Sequence, residues 1–581
     1  MGSKNTYYVS CNGLVSGNGT AENPFNTIQK AADIMQPGDT CVISEGVYRE
    51  WVKPPRGGSS DTERITYKAE KGAKVQIKGS EQVTDWVFVK DGVWKIELPD
   101  SFFGEFNPFK TNVGGRWMLY GQRYHVGEVY LDGKPYCEKL FIDEVYENAD
   151  TWFTEAVCDT SIIYANFGSA NPNEALTEIN KRKCIFFPDA KGLRFITLEG
   201  LSFEQAAANW VNFMDFQHAA VGTYYGRNWI IQNCHISDAK CVGLVCGNDF
   251  SDCNEGFDME ETGHHIVRNN WIRRCGEAGI HGYKGWVASL IEGNLIEDIN
   301  VNKQFGGYET AGMKIHHAVD VIIRNNVIRR VYSGLGGHYA GIWIDWGAQG
   351  TRITGNLVYD MDEWNGWTFF IQNSHNAPVL FDNNIFIGQV MNTARNTIFA
   401  HNLFVDSRWY FMVENFTMIY FKPHTAEVVE NISLTHLEGD RYYNNIFIKK
   451  GTDQLVNGHD YTVDYNVYYD GARKGYLGED NSIVRDDFAA NFRLETLENG
   501  VKLSFSCDDA PFEVKCPAIT HDFIGIFPLT GQGLDDHYGN PIDVDVDING
   551  HKRCTEHPAA GPFENIKNGE NTFVFTAGLA E

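Results

Sequence analysis

A short apolar segment recurs through the second half of the chain and dominates its hydrophobic pattern. Each copy has two or three apolar residues, then polar residues ending in an asparagine, then a second apolar pair, as in IIRNNVI, RITGNLV and LFDNNIF. The asparagine holds the same place in eight copies, and Cys234 takes it in the first: Asn270, Asn294, Asn326, Asn356, Asn384, Asn402, Asn445 and Asn466. Irregular repeats without helical periodicity between them predict one coil of a parallel β-helix per copy. We expect each asparagine to adopt the left-handed turn conformation and to bond its equivalent in the next coil.

The start of the chain predicts how this β-helix begins. A strand, a Gly/Asn loop, an amphipathic helix from Ile28 to Met35, a Pro-Gly-Asp turn and a second strand follow one another. This order resembles the N-terminal cap of right-handed parallel β-helix proteins, whose helix covers the open edge of the first coil. Residues 1–84 are therefore predicted to form the cap and the first coils.

The repeat is interrupted before it becomes regular. Short strand-like runs rich in aromatic residues and prolines extend over residues 85–190, which indicates an inserted β-sandwich. Residues 191–581 then form the main β-helix with a C-terminal cap. The predicted fold is all-β: a right-handed parallel β-helix with an inserted β-sandwich domain.

Composition narrows the range of partners and locations. The net charge of −27 disfavours nucleic acid and anionic membranes as partners. No apolar run reaches the length of about 18 residues that a membrane span needs. Thirteen cysteines without CxxC pairs favour free thiols in a reducing compartment. The start, MGSKNTYYVS, does not read as a signal peptide, so we expect a cytoplasmic protein, or a periplasmic or secreted one if a signal was removed. The oligomeric state stays open.

The candidate chemistry lies between Ala340 and Asn384. Asp345 stands between Trp343 and Trp346 at the end of an apolar run, and Gln372 occupies a comparable position 27 residues later, about one coil on. Equivalent positions of adjacent parallel strands lie about 4.8 Å apart. Retaining glycosidases need two carboxyl groups about 5–5.5 Å apart. We therefore predict that Asp345 and Gln372 are the two catalytic positions, with an amide where the second acid is expected.

Neighbouring side chains suit a sugar. Flat aromatic rings pack on the C–H face of a pyranose, and carboxylates and amides bind its hydroxyls. Adjacent residues of a strand point to opposite sides, so only one of His316 and His317 faces the ligand. The predicted substrate-binding residues are Trp343, Trp346, Glu309, His316, Trp286, Asn373 and His375. The histidines show no metal-ligand spacing, and we predict neither a metal nor another cofactor.

Four segments together resemble one glycosidase family. They are GIHGYKGW, LIEGNLIEDINVNKQFGGYETAGMKIH, GIWIDWGAQGTRITGNLVYD and FFIQNSHNAPVLFDNNIF. The resemblance is to glycoside hydrolase family 120, β-xylosidases with a parallel β-helix and an inserted β-sandwich. It implies retaining hydrolysis of β-linked xylose, with Asp345 as the nucleophile. It also implies that Trp117, in GGRWMLYG, matches an aromatic residue that reaches over the pocket.

The chain departs from that family at one position. The acid/base glutamate of the family lies in Phe-x-Glu-x-x-His, which here reads Phe370-Ile371-Gln372-Asn373-Ser374-His375. An amide neither donates nor accepts the proton, and that function is worth about 10²–10⁴-fold in rate. Three explanations remain: an introduced Glu→Gln change, a variant that uses another acid, or binding without cleavage. The other candidate acids are Asp360, Asp362, Glu363 and Glu309.

Three functions follow from these observations. The first is an exo-acting retaining glycosidase that releases xylose or a related sugar. The second is a polysaccharide lyase or epimerase on the same scaffold, with Lys314 and His316 beside a uronate; no acidic calcium cluster supports it. The third is a carbohydrate-binding β-helix without turnover.

Overall fold

In the computed structural model, described residues are 4–247, 256–334, 336–362, 366–372, 378–411, 417–433, 438–455, 460–475, 478–498 and 500–578. Three long parallel sheets run along most of this length, and successive strands of each sheet pair in register from one coil to the next. The predicted parallel β-helix is therefore confirmed.

The three sheets are the walls of the β-helix. Sheet I contains Thr6–Leu14, Thr40–Ile43, Ile65–Ala69, Ile196–Glu199, Ile230–Gln232, Ile266–Arg268, Leu290–Glu292, Ile322–Arg324, Arg352–Thr354, Val379–Asp382, Thr397–Ala400, Glu438–Tyr443 and Asp460–Asp464. Sheet II contains Gly46–Tyr48, Val75–Lys78, Leu201–Glu204, His235–Ser237, Trp271–Arg273, Leu295–Ile299, Val327–Val331, Leu357–Met361, Ile385–Ile387, Leu403–Val405, Ile446–Ile448, Val467–Tyr469 and Ile483–Arg485. Sheet III contains Val221–Gly222, Val242–Val245, Ala278–Tyr283, Thr310–His316, Tyr339–Asp345, Gly366–Gln372, Val390–Asn392 and Trp409–Phe411.

The recurring asparagines form a buried ladder between sheets I and II. Asn326 Nδ2 donates to Asn356 Oδ1 at 2.9 Å, and the same oxygen accepts from the Asn326 backbone N–H at 3.0 Å. Equivalent bonds link Asn270 through to Asn466. The ladder is therefore confirmed, and it satisfies polar groups that would otherwise be buried without partners.

The predicted backbone conformation of these asparagines is wrong by one residue. The positive φ values belong to the preceding position, as in Asn269 at 53°, Asn325 at 55° and Asn383 at 58°. The ladder asparagines themselves, all of them described, are not among the residues with positive φ. The tight turn is thus completed one residue before the ladder asparagine. The asparagine amide then lies between two coils, and the next residue starts a strand of sheet II.

Apolar side chains from all three sheets fill the interior of the coils. Isoleucine, valine and leucine dominate the core, and phenylalanine and tyrosine join them towards the C-terminal coils, where Phe404 stacks on Phe447 with ring centroids 5.1 Å apart. At the other end the helix Ile28–Ile34 buries Ile28, Ala31 and Ala32, and Thr27 accepts from the Lys30 backbone N–H at its start. The predicted capping helix is confirmed, with Met35 as its C-terminal cap.

Two sheets with mostly antiparallel strands lie between the early coils and the main β-helix. One contains Lys134–Pro135, Val129–Leu131, Thr177–Asn180 and Ser80–Gln82; the other contains Cys137–Glu138, Thr151–Val157, Thr160–Asn166, Val93–Pro99 and Val87–Lys90. Val129 and Ile179 of the first sheet share an apolar cluster with Ile96, Trp152 and Ile163 of the second. The two sheets therefore pack face to face, as in a sandwich.

The remaining elements connect these parts or close the chain. Strand Met118–Tyr120 leaves the sandwich region and pairs antiparallel with Gly306–Gly307 of the β-helix. Other described elements are the helices Asp100–Phe103, Ile142–Glu147, Ala510–Glu513 and His521–Ile524, the 3₁₀ turns Pro108–Lys110 and Thr452–Gln454, the hairpin of Thr417–Phe421 with Val428–Ser433, and the sheet of Arg493–Leu497, Gly500–Cys507 and Gly569–Thr576. Within the ranges given above, no helix is long and apolar enough to cross a bilayer.

Candidate active site

Alternation along sheet III separates an inner face from an outer one. Ile344 and Ile371 belong to the core of the coils, whereas Trp343 and Phe370 belong to a separate cluster on the outside. Because side chains alternate along a strand, Asp345 lies on the same outer face as Trp343. Asp345 pairs directly with Gln372 of the next coil and with His316 of the previous one. The structure therefore brings the two predicted catalytic positions together on one surface.

Two cationic or potentially cationic groups hold the Asp345 carboxylate. Lys314 Nζ lies 3.1 Å and His316 Nε2 3.0 Å from Asp345 Oδ2. The backbone N–H of Trp346 donates to the other oxygen at 2.9 Å. Burial alone would raise the pKa of Asp345, but the positive charge of His316 and Lys314 outweighs it and holds that pKa well below its usual range. The carboxylate is therefore ionised at neutral pH.

A second carboxylate lies behind the first and shares the same lysine. Glu309 Oε2 is 3.0 Å from Lys314 Nζ and 3.1 Å from His281 Nε2, and its side chain is 2% exposed. Burial favours the neutral acid, but Lys314 and then His281 lower the pKa of Glu309 below its usual value. Glu309 is thus part of the charge network around Asp345.

The amide of Gln372 faces the indole of Trp343. Trp343 Nε1 donates to Gln372 Oε1 at 3.1 Å, and Lys314 Nζ lies 3.6 Å from the centroid of the Trp343 ring. An indole N–H only donates, so it selects an oxygen at position 372. A glutamate carboxylate at this position would accept the same hydrogen bond.

Sequence reasoning missed a third buried acid, Glu277. Both of its carboxyl oxygens accept from the Val211 backbone N–H, at 3.1 and 3.0 Å. Burial raises the pKa of Glu277 far above its usual value, and the nearby charge of Glu309 adds to the shift. A signal was available, because GEAGIHGY and YETAGMKIH each place a glutamate just before an Ala-Gly strand of sheet III.

An aromatic wall stands beside Asp345. The ring of Phe213 lies 5.1 Å from both Trp346 and His316, and Trp117 stacks on Phe213 at 6.5 Å with the planes 19° apart. Trp117 is 47% exposed, so it keeps an open ring face. The structure thus brings Trp117, Trp346 and His316 together. Phe213 was missed because it lies in a segment between coils, outside the repeat.

Other predicted residues lie elsewhere or outside the described residues. Trp286 is fully buried in the core of the coils, where its indole N–H donates to the His281 carbonyl at 3.1 Å, so it offers no surface to a ligand. The prediction that it lines the pocket is contradicted by this burial. Asn373, His375 and Glu363 lie outside the described residues.

Two further candidate acids, Asp360 and Asp362, lie at the end of a strand of sheet II. The carboxylate of Asp362 forms an ion pair with Lys303, and Asp360 is exposed with φ of 58° at the end of its strand in sheet II. Neither belongs to sheet III. Across the ranges that the structure describes, no cluster of three or more histidine, cysteine, aspartate or glutamate side chains is arranged to hold a metal ion.

Comparison with known proteins identifies both parts of the molecule. Residues 83–151 match the model of the insertion domain of glycoside hydrolase 120, and residues 245–404 match the right-handed β-helix region. The solved structure of XylC with xylose is 31% identical, covers 98% of this chain and 100% of its own, and superposes with a TM-score of 0.90. A search of curated proteins gives no match.

Two further solved structures are more distant. The lacto-N-biosidase of family GH136 from Eubacterium ramulus is 13% identical, with 79% of this chain and 68% of that chain covered and a TM-score of 0.42. Pectate lyase Pel9A is 10% identical, with 97% and 98% covered and a TM-score of 0.37.

The fold, the insertion and the XylC similarity define a glycoside hydrolase built on a parallel β-helix. More narrowly, the chain belongs to glycoside hydrolase family 120, in agreement with the resemblance drawn from its sequence motifs.

Proposed function

We propose that the protein is an exo-acting retaining β-xylosidase whose nucleophile is Asp345. The observation that carries this proposal is the pairing of Asp345 with Gln372 on the outer face of sheet III, with Lys314 and His316 on the Asp345 carboxylate. The similarity to XylC, whose structure contains xylose, supports xylose as the sugar.

Asp345 forms the glycosyl-enzyme in this mechanism. One carboxylate oxygen attacks the anomeric carbon while the bond from that carbon to the leaving oxygen breaks, and the leaving oxygen takes up a proton. Water then attacks the same carbon, loses a proton and returns Asp345 as a free carboxylate. The lowered pKa of Asp345 suits a nucleophile, since the ionised form is the reactive one.

In this scheme the side chain at position 372 gives a proton to the leaving oxygen and later takes one from the attacking water. The amide of Gln372 can do neither. Gln372 leaves a leaving group of high pKa without its proton and leaves water without a base. The hydrogen bond from Trp343 supports this assignment, because it would orient a glutamate carboxylate in the same place. The protein as it stands is therefore a slow enzyme on disaccharides.

The aromatic wall supplies the sugar-binding surface. We propose that the inserted region, residues 85–190, is a separate domain between the cap at 1–84 and the main β-helix at 191–581. It supplies Trp117, whose contact with Phe213 places it beside Trp346. Its pairing with Gly306–Gly307 holds it near Glu309, which would bind sugar hydroxyls.

A second candidate, sugar binding without turnover, is favoured by Gln372 itself. The lyase alternative is weaker, since Lys314 and His316, its candidate bases, are both engaged with Asp345. Calorimetry with xylobiose, before and after Gln372→Glu, separates binding from turnover. Binding with no product from either protein would establish the binding function.

Mechanism-based labelling tests the nucleophile. A 2-fluoro-xyloside with a good leaving group is incubated with the protein, and the labelled peptide is mapped by mass spectrometry. We expect one fluoroxylosyl group on Asp345 and none on an Asp345→Asn variant that binds xylose normally. A label on another residue would overturn the assignment of Asp345, and wild-type turnover without any label would overturn the retaining mechanism.

A further inference from the structure

A groove that the catalytic proposal does not use lies beside the inserted region. It has a volume of about 470 Å³ and opens between residues 103–106 of the insertion, residues 51–53 of the early coils and residues 181–183 at the junction. Trp51, Lys53, Phe106, Lys181, Lys183 and His218 line it, and we call it the basic groove.

The charge of the groove is opposite to that of the whole molecule. The chain has a net charge of −27, yet the groove carries Lys53, Lys181, Arg182 and Lys183 against one acid, Glu105. Arg182 forms an ion pair with Glu81, and Lys53 pairs with Asp189 at 3.1 Å. Such a local excess of cations attracts anions that the remaining surface repels.

Two of these lysines have no acidic partner within the described ranges. Lys181 Nζ lies 4.7 Å from the centroid of the Phe102 ring, and Lys183 Nζ lies 4.7 Å from that of Phe106. A cation over an aromatic face is held in place without being neutralised. Both ammonium groups therefore keep hydrogen bonds to offer to a ligand.

Aromatic rings give the groove a second property. Trp51 and Phe106 are both half-buried and pack against the apolar cluster that contains Trp210 and Met118. Trp51 is further fixed by its indole N–H, which donates to the Phe187 carbonyl at 3.0 Å. Lysine ammonium groups lie over part of both rings, Lys53 at 4.2 Å from the Trp51 centroid and Lys183 at 4.7 Å from that of Phe106, and the exposed remainder of the rings suits the apolar face of a sugar.

The groove adjoins the candidate active site through one segment. Phe213 of the aromatic wall and His218 of the groove are five residues apart, which limits their Cα separation to about 18 Å. His218 is half-buried between Phe187 and Phe216, with ring centroids 5.5 and 4.3 Å away. The segment from Phe213 to His218 therefore links the aromatic wall to the groove.

We propose that the basic groove binds the carboxylate-bearing unit of an acidic saccharide, a uronic acid. Lys181 and Lys183 would pair with the carboxylate, while Trp51 and Phe106 would contact the ring. The proposal is independent of the catalytic assignment, because it concerns binding at a different place and is tested by binding.

The test compares the binding of glucuronic acid with that of glucose, because the two sugars differ in the carboxylate. Saturating xylose is present throughout, so that the sugar site at Asp345 is filled. Saturation-transfer NMR and calorimetry measure both ligands at low and high salt. We expect glucuronic acid to bind more tightly than glucose and to weaken with salt. The double variant Lys181→Gln/Lys183→Gln should weaken it about tenfold or more, as expected when charged hydrogen bonds are removed.

A matched variant controls for the loss of charge. Lys502→Gln/Lys552→Gln removes two exposed lysines far along the chain and should leave glucuronic acid binding unchanged. Equal binding of glucose and glucuronic acid, or unchanged binding by the groove variant, would overturn the proposal. Competition by acetate or phosphate as strong as that by glucuronic acid would reduce the groove to an anion site and would also overturn it.

Discussion

Lys314 is the residue through which the charge state of Asp345 is most directly tested. Its ammonium group lies 3.1 Å from Asp345 Oδ2 and 3.0 Å from Glu309 Oε2, and its side chain is 2% exposed. Lys314→Met keeps the length and the apolar stem of the side chain but removes the charge. Asp345 then keeps His316 and faces a Glu309 that is no longer neutralised.

The expected shift follows from these distances. Two unit charges 3.1 Å apart interact by about 5 kcal/mol at an effective dielectric constant of 20, which is an upper bound for the effect. Loss of one adjacent cation typically raises a carboxyl pKa by about 1–3 units, or about 1.4–4 kcal/mol. Because the pKa of Asp345 is lowered in the folded state, its contribution to stability is present above its unfolded pKa and lost as pH falls.

The assay measures kcat/KM from pH 3 to 8 on an aryl β-xyloside whose phenol leaving group needs no proton. For the wild type we expect no acid limb from Asp345 in this range, and for Lys314→Met a limb that has moved to higher pH. Lys303→Met is the matched control, since that exposed lysine pairs with Asp362 instead. Thermal unfolding at each pH separates loss of folding from loss of ionisation.

One result would refute the reasoning about Lys314. If Lys314→Met remains folded and its acid limb coincides with that of the wild type, the lysine does not hold Asp345 in its ionised form. A limb displaced equally in Lys303→Met would instead assign the effect to overall charge.

Three further predictions concern position 372, the ladder and a buried acid. Gln372→Glu should raise the rate of xylobiose hydrolysis by about 10²–10⁴-fold. With an activated aryl xyloside, the wild type should release a burst of phenol, and this burst should disappear in the variant. Equal rates of both proteins on xylobiose would show that position 372 is not the acid/base. Asn356→Ala removes the oxygen that accepts two hydrogen bonds from Asn326 and should lower the free energy of unfolding by about 2–5 kcal/mol. Chemical denaturation measures this change, with Asn12→Ala at an exposed position as the control. Equal stabilities of the two variants would contradict the contribution assigned to the ladder. Burial raises the pKa of Asp440 to about 8, so between about pH 4 and 8 the folded state holds a proton that the unfolded state has lost. The free energy of unfolding should therefore fall by up to about 1.4 kcal/mol for each unit by which the pH rises in this range. Asp440→Asn should flatten this dependence on pH, and an unchanged dependence would assign it to other groups.

The repeat made the fold readable from the sequence. Eight asparagines at one register mark the coils, and the apolar residues on either side of them form the strands of sheets I and II that face the core. The same register placed Asp345 beside Gln372. The prediction of a left-handed conformation for the ladder asparagines was wrong because two adjacent residues share the work. The first residue, such as Asn325, has the positive φ, and the second, such as Asn326, provides the ladder amide, while the sequence has asparagine at both positions.

What could not be predicted lies where the repeat stops. Phe213 comes from a segment between coils, and its contacts with Trp117 and Trp346 depend on how the insertion folds back onto the β-helix. Trp286 was misplaced for the opposite reason. It follows a sheet III strand closely enough to look like a wall residue, but the chain turns inward after Tyr283 and buries it in the core.

The charge network explains why the site needs more than two residues. An unpaired carboxylate buried as deeply as Asp345 would become protonated. The stacked coils also provide the positively charged partners of Asp345. His316 lies one coil below Asp345 at the same register, and Lys314 lies two residues earlier on that strand. Lys314 also forms an ion pair with Glu309, whereas the described residues provide no ion pair for Glu277, and burial raises the pKa of Glu277 strongly. Lys314 thus lowers the pKa of both Asp345 and Glu309, which is why a single substitution at Lys314 tests both carboxylates.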